Sequence, residues 1–422
     1  MEEAEINATP YEQTYYKTMK KIPNVSDVSF IIPTKNTLNY TMMAYRSLRE
    51  FYPLNEIIML DDKSDDGTWD WIDVQSKLDD NLRIYQNTSE TIVGHTILYD
   101  LGIKMSKNPL VSIFHSDMVA SEGYLENMLK YWSQRTVVCA TRVEPTEIYP
   151  ESAEKILRPF GKEFHEFDRD GFTKFCLEES ASKKDQKTAG MFAPWLISKE
   201  DFLAIGGHDA KSFAPYPHED QDIFVRWKLA GYNLIQSRDS LCFHFISKAH
   251  RSWAKNGVGK DDDMFKFYNN RASRNYLRKW HKWMSHDEYR MPITHPVYNI
   301  GFVITDVTSE DFLHFIETWA TNIFIDNTIC GDRYIAKEQP TTKIDLSTRI
   351  HNHGYIEQIN NDILLYFSQK DFMLNANENS AIITKLTDII SEGVEDNAEM
   401  ELGIFKLKTK IVKDISKSLI KV

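Results

Sequence analysis

The chain has 422 residues, 42% hydrophobic and 27% charged, with a formal net charge of −12. That length buries one large core or two ordinary ones, and the acidic balance argues against a broad nucleic-acid footprint. Cys139, Cys176, Cys242 and Cys330 lie far apart without a CxxC spacing, which excludes a zinc or disulfide framework. The acidic start Met1-Glu2-Glu3 has no apolar leader, and no run approaches the ~18 apolar residues that span a bilayer, so the expectation is a cytoplasmic protein.

Residues 1–27 are polar, carry no clear period and read as an arm. From Val28 the pattern alternates. Val28 to Ile32 is a short apolar run stopped by Pro33, as in a buried parallel strand. A helix over 40–51, a strand over 56–60, a helix over 68–78 and a strand over 82–85 follow. Then come a helix over 96–105 and a strand over 110–114 that runs into His115-Ser116-Asp117. A strand over 137–141 precedes a charged stretch, 142–188, too long for a simple connection. Residues 191–197 read as a strand, 199–205 as a helix closed by Gly206-Gly207, and 219–230 as a helix stopped by Gly231. A strand over 241–245 and a long basic, aromatic helix over 261–283 complete this part.

The strand pattern restarts at 299–304, with a helix over 309–320 and later strands at 343–346, 363–367 and 401–408. The expected division is therefore an α/β domain over 28–288 and a smaller C-terminal α/β accessory domain over 289–422. No catalytic constellation falls in the second.

Strands alternating with helices at this spacing imply right-handed βαβ units, a mostly parallel sheet, and a ligand beyond the carboxyl ends of its strands. Those ends carry Pro33-Thr34, Asp61-Asp62 and Ser116-Asp117, so three separate strands deliver polar or acidic groups to one rim.

These residues resemble a known family. Ser29 to Asn36 and Asp61 to Thr68 are similar to the opening of the family-2 glycosyltransferases of GT-A fold. Gly94 to Gly102 matches that family's glycine-spaced helix, with Asp100 where Asn is usual. Ser116-Asp117 stands in place of the DxD metal motif, and Gly206 to Asp209 is similar to the GGhD turn. Glu219-Asp220-Gln221-Asp222 resembles the ED-x-D helix. His244 matches a late histidine, and Asn270 to Trp280 the closing helix. Each motif is weak alone; together, in order over Val28 to Trp283, they are specific.

The resemblance implies a Rossmann-like GT-A domain that transfers a sugar, with inversion, from a nucleotide-diphosphate donor such as a UDP-sugar to a carbohydrate or other hydroxyl acceptor. Pro33 and Thr34 would line the nucleoside pocket, and Asp62 would accept from the uracil N3 with Asp61 supporting it. Ser116 and Asp117 would meet the diphosphate, with Mn²⁺ or Mg²⁺ held by Asp117 and His244. Asp220 would be the base and Glu219 would touch the acceptor. Hard cations take carboxylate oxygens, and a base at a helix start feels a dipole that favours its ionised form. The sequence departs from the motif at His115, where a full DxD has an acid. Phosphate and water then complete the metal's ligands, or His115 itself takes part.

Ordinary readings stand beside these. Asp61-Asp62 and Asp117 fit helix caps and turns, Glu219-Asp220 fit first-turn acids, and His244 fits a core or surface histidine, with His250 the competing candidate for the ligand role. Trp195, His208 and Trp253 fit either an acceptor pocket or core. The basic segment after His244 fits a lid or a solvated loop. The C-terminal region bears a faint resemblance to extensions on glycosyltransferases of large tailed phages. It implies an alternative acceptor, hydroxymethylated bases of DNA, met by the basic residues between Lys248 and Lys282. A second alternative is a scaffold protein that keeps the fold without turnover.

Overall fold

The computed structural model describes residues 23–146, 148–248 and 263–422. Most of the expected arm, His250, Trp253 and most of the basic segment between Lys248 and Lys260 lie outside the described residues.

The first sheet has ten strands: β1 (Val28–Thr34), β2 (Ile57–Asp61), β3 (Leu82–Gln86), β4 (Leu110–Ile113), β5 (Met118–Ala120), β6 (Thr136–Glu144), β7 (Lys155–Leu157), β8 (Lys187–Ala189), β9 (Trp195–Ser198) and β10 (Asn233–His244). Its order is β3-β2-β1-β4-β9-β6-β10-β5, with β7 on β6 and β8 on β10. β1, β2, β3 and β4 are parallel; β9 runs antiparallel between β4 and β6. The chain leaves β1 towards β2 and β3, then returns to β1's other side as β4. The sheet order therefore reverses between β1 and β4, and a crevice opens at their carboxyl ends.

Helices α1 (Leu38–Phe51), α2 (Thr68–Ser76), α3 (His95–Met105), α4 (Tyr124–Leu129), α5 (Arg169–Ser182), α6 (Lys199–Ala204), α7 (Ala210–Phe213), α8 (Glu219–Leu229) and α9 (Asp263–Trp280) cover this sheet. All seven residues of β1 are buried, because apolar layers pack on both faces. α1, α4 and Phe114 lie on one face; α3, α6 and α8 lie on the other.

A second, six-stranded sheet has the order β13-β12-β11-β14-β16-β15. It comprises β11 (Ile300–Thr305), β12 (Asn322–Ile325), β13 (Ile350–Asn352), β14 (Ile363–Ser368), β15 (Glu399–Leu402) and β16 (Phe405–Thr409), with its own apolar core. Helices α10 (Glu310–Ile316), α11 (Thr328–Glu338), α12 (Gln369–Leu374), α13 (Ala376–Thr384) and α14 (Leu386–Gly393) pack against it. The end of the sequence returns to the first sheet. Ile415 and Leu419 pack beside α9, and the Arg226 guanidinium of α8 donates to the Ile420 carbonyl at 3.3 Å.

Several elements differ from the sequence reading. β10 begins at Asn233, not 241, and carries a bulge between Ser237 and Leu241. Its polar Gln236 to Ser240 hides the strand, yet Asp239 is buried there against Lys130 at 3.0 Å. The expected strand at 343–346 is absent. Gln339 bonds the backbone of Thr342, Ile344 and Leu346, and Asp345 caps a 3-10 turn, so the strand starts at Ile350. β12 and α11 went unread, and the single strand expected over 401–408 is a hairpin of β15 and β16. The charged stretch 142–188 resolves into the end of β6, β7, α5 and β8. No helix among the described residues is long and apolar enough to cross a membrane, and all four cysteines are free and buried.

The two sheets meet through α9. Arg278 donates to Glu317 at 2.8 Å and to Glu338 at 2.8 Å; Arg274 reaches Glu338 at 2.7 Å, and Arg349 reaches Glu317 at 2.6 Å. Glu317 is fully buried. Burial alone would raise its carboxyl, but Arg349 and Arg278 outweigh this and hold it down at about 2. Removing one partner of such a cluster strands buried charge. Glu317→Ala should therefore lower the unfolding free energy by about 3–5 kcal/mol, read by urea denaturation. Asp73→Ala, which breaks the exposed pair with Lys77, should change it by less than about 1 kcal/mol.

Candidate active site

A pocket of about 550 Å³ opens at the β1–β4 crevice. Pro33, Thr34, Asp62, Ser116, Asp117, Glu219, Asp220 and His244 all line it, as do Trp195 and His208. Residues read as separate signals thus share one cavity. Asp61 does not: its carboxylate accepts from the Ser64 amide at 3.0 Å and shapes the turn after β2, and burial pushes its carboxyl up.

Asp62 is 4% exposed and accepts from Asn87 Nδ2 at 2.7 Å and from the Val93 and Gly94 amides at 3.0 and 2.8 Å. A carboxylate offers about four acceptor sites, so one remains for a ligand donor. Gly94 has a φ of +83°, and a Cβ there would lie 2.3 Å from the Pro215 backbone. Only glycine lets the chain turn here, bond Asp62 and start α3 against the loop before α8. Thr34 is fixed by Thr37 and Thr41 at 2.8 and 2.9 Å.

At the end of β4, Asp117 accepts from the Lys248 amide at 2.9 Å and faces His244 Nε2 at 3.5 Å. Burial would raise its carboxyl, but His244, His115 and that amide hold it well below the usual range. His244, at the end of β10, bonds Glu144 through Nδ1 at 2.9 Å. Burial opposes its protonation, yet Asp117 and Glu144 push its pKa up to about 9. Glu144 is in turn bridged by Arg142 at 2.8 Å and Lys155 at 3.0 Å. Ligand atoms of His115, Asp117 and His244 lie within 4.8 Å of one another. Such a donor set suits a divalent cation, and an acid behind a ligating imidazole is the usual support.

α8 begins at the pocket wall. His218 adopts φ +75°, a strained conformation for a non-glycine residue, and turns Glu219-Asp220 into the cavity. Glu219 pairs with His95 Nε2, while Asp220, among the described residues, bonds only the Gln221 amide, at 2.7 Å. Burial and the adjacent Glu219 charge push the Asp220 carboxyl up to about 7, outweighing the expected helix dipole. Asp222, two residues on, points the other way, into Arg226 at 2.7 Å, Lys279 at 2.7 Å and Trp280 Nε1 at 3.0 Å.

His208 Nδ1 meets Asp100 at 2.7 Å, so the acid at the position where Asn is usual has a local partner. Trp195 packs edge-on against Trp227 at 5.2 Å. Sequence reasoning missed His95, Arg142, Glu144 and His218. Glu144 could have been found as one more acid at a strand end; His95 gave no signal beyond following Gly94. Gly94→Ala should cost about 1–3 kcal/mol of stability, because its Cβ would meet the Pro215 backbone and shift the Val93 and Gly94 amides away from Asp62; urea denaturation checks it.

Residues 29–182 match the model of the family described as Glycosyl transferase family 2. No curated protein matches the sequence. Among solved structures, the mannosyltransferase PcManGT of Pyrobaculum calidifontis, in complex with GDP-Man and Mn²⁺, is 16% identical at TM-score 0.40, covering 63% of this chain and 68% of that one. GalNAc-T7 with UDP, GalNAc and Mn²⁺ is 14% identical at TM-score 0.40, covering 60% and 51%. S. aureus TarS 1–349 is 13% identical at TM-score 0.39, covering 60% and 80%.

Proposed function

We propose, from the premise that residues 29–182 carry a glycosyl transferase family 2 domain, that this chain transfers a sugar from a nucleoside-diphosphate donor, a UDP-sugar, to an acceptor hydroxyl with inversion. One observation carries the reading: Asp62, Asp117 and Asp220, far apart in sequence, line a single pocket at the point where the sheet order reverses. The nucleoside lies against Pro33 and Thr34, with Asp62's remaining acceptor site taking the base N–H. The diphosphate lies by Ser116 and Asp117. His115, Asp117 and His244 would hold a divalent cation, which when bound neutralises charge on the leaving diphosphate.

Asp220 receives the acceptor's proton as its oxygen bonds to the anomeric carbon, while the bond from that carbon to the diphosphate oxygen breaks. A single in-line displacement inverts the centre. A carboxyl raised towards neutrality is a suitable base, since it is both deprotonated and basic near working pH. Glu219, beside it, accepts a hydrogen bond from the acceptor.

Asp220→Asn should lower kcat by ~10²–10⁴ and leave donor affinity nearly unchanged, measured by UDP release over a panel of UDP-sugars and by calorimetry. Near-normal turnover would remove Asp220 from the mechanism. Because the base works deprotonated and its carboxyl sits at about 7, kcat/KM should fall as pH drops below about 7 and level off above it. Asp117→Ala should abolish the metal-dependent part of donor binding. With two imidazoles in the donor set, Mn²⁺ should support more turnover than Mg²⁺, and a chelator should remove it.

A further inference from the structure

His95 lines the pocket but has no role in the steps above. It is the first residue of α3, and its Nε2 faces Glu219 Oε1 within hydrogen-bond reach. The ring lies parallel to Tyr216 at 6.1 Å, with 12° between planes, and edge-on to Tyr99 at 5.6 Å. Stacked on one side and packed on another, the imidazole has little freedom to follow any other carboxylate.

Glu219 and Asp220 are neighbours at a buried helix start, where two carboxylates cannot both stay ionised without a counter-charge. The groups facing them are His95 from α3, His208 from the turn after α6, and His218 just ahead of α8; Asp62 adds a negative charge on the His95 side. Of these imidazoles, His95 makes an ion pair with the dyad, and it makes it with Glu219. Among the described residues Asp220 receives only a backbone amide. Glu219's second oxygen, Oε2, is buried without a hydrogen-bond partner among the described residues, so the paired carboxylate at the pocket wall has unused acceptor capacity that a small movement of the side chain would offer to a substrate hydroxyl.

We propose that His95 is a positioning residue: as an imidazolium it holds Glu219 as a fixed carboxylate that orients the acceptor hydroxyl, and so leaves proton removal to Asp220 alone. This rests on the proposed glycosyl transfer. It assigns the two acids different tasks by their partners, not by their order in the motif. Burial opposes a charge on His95, but Glu219 prevails and raises its pKa, while the same pairing holds Glu219 down.

The test uses the full chain labelled with [¹⁵N]histidine, its imidazole shifts followed against pH and the His95 signal assigned by its loss in His95→Gln. The His95 midpoint should lie above the ordinary value of about 6.5, and Glu219→Gln should lower it by more than one pH unit, further than Asp220→Asn does. A midpoint at or below the ordinary value, or one unmoved by Glu219→Gln, overturns the inference whatever the catalytic result.

In kinetics, His95→Gln removes a positive charge beside both acids. The acidic limb of kcat/KM should move to higher pH by about one unit, and KM for the acceptor should rise. In a Glu219→Gln background the same change should add less than twofold. Additive losses would mean a merely structural ring and overturn the inference. Absence of turnover in the unaltered chain with every donor would overturn the transfer reading, and the positioning role falls with it. If His95→Gln does not fold, His95→Asn supplies the assignment and the titration of Glu219→Gln decides.

Discussion

An ionised carboxylate taken out of water must be met by donors or cations, and the rim of the first sheet buries several of them together. Each is met differently. Asp62 has three donors from the 87–94 segment, Asp117 has an amide and an imidazole, and Glu144 has a guanidinium and an ammonium. Asp220, among the described residues, has the Gln221 amide alone. The contrast sorts the acids: Asp62, Asp117 and Glu144 are held in place by several partners, while burial and the Glu219 charge leave the Asp220 carboxyl raised towards neutrality. The pocket's chemistry follows from which carboxylates the fold satisfies and which it leaves short.

That sorting requires α8 to stay still, and the second sheet contributes to this. Glu317, from the turn after α10, locks Arg274 and Arg278 of α9. The last turn of the same helix sends Lys279 and Trp280 to Asp222 on the hidden face of α8. Arg226, one turn later, bonds Asp222, the Ile205 and Gly207 carbonyls and the Ile420 carbonyl near the end of the sequence. Asp220 therefore stands at the head of a helix pinned from behind by residues 19 to 194 positions away. The second sheet thus bears on the Asp220 wall of the pocket through packing.

The rim was legible in the sequence because parallel strands buried on both faces are continuous apolar runs, and polar residues just past them stand out. Val28 to Thr34, Ile57 to Asp62 and Leu110 to Asp117 are of this kind. What stayed hidden was whatever depends on a distant partner. β10 runs through Gln236-Ser237-Arg238-Asp239-Ser240, a polar string that becomes a buried strand only because Lys130, Asn127 and Thr141 receive it. His95 looks like any helix-start residue until α8 brings Glu219 against it. Asp61 and Asp62 are adjacent and chemically alike, yet one lines the cavity and the other tethers a turn. Alternation along a strand separates them, and a motif read as a pair does not.

His115 is the departure from the family pattern that the structure makes intelligible. A motif with two acids would bring another negative charge beside Asp117 in a cavity that already holds Asp62, Glu144, Glu219 and Asp220. An imidazole at 115 supplies a ligand atom without that charge, and His244 supplies a second. One carboxylate and two neutral imidazoles would leave a divalent cation with one positive charge unneutralised, where two carboxylates would leave none. Under the proposed transfer, that surplus would meet the negative charge of the leaving diphosphate. The second acid has not vanished from the region: Glu144 stands behind His244, bonded to its far nitrogen, and acts on the metal position through the ring.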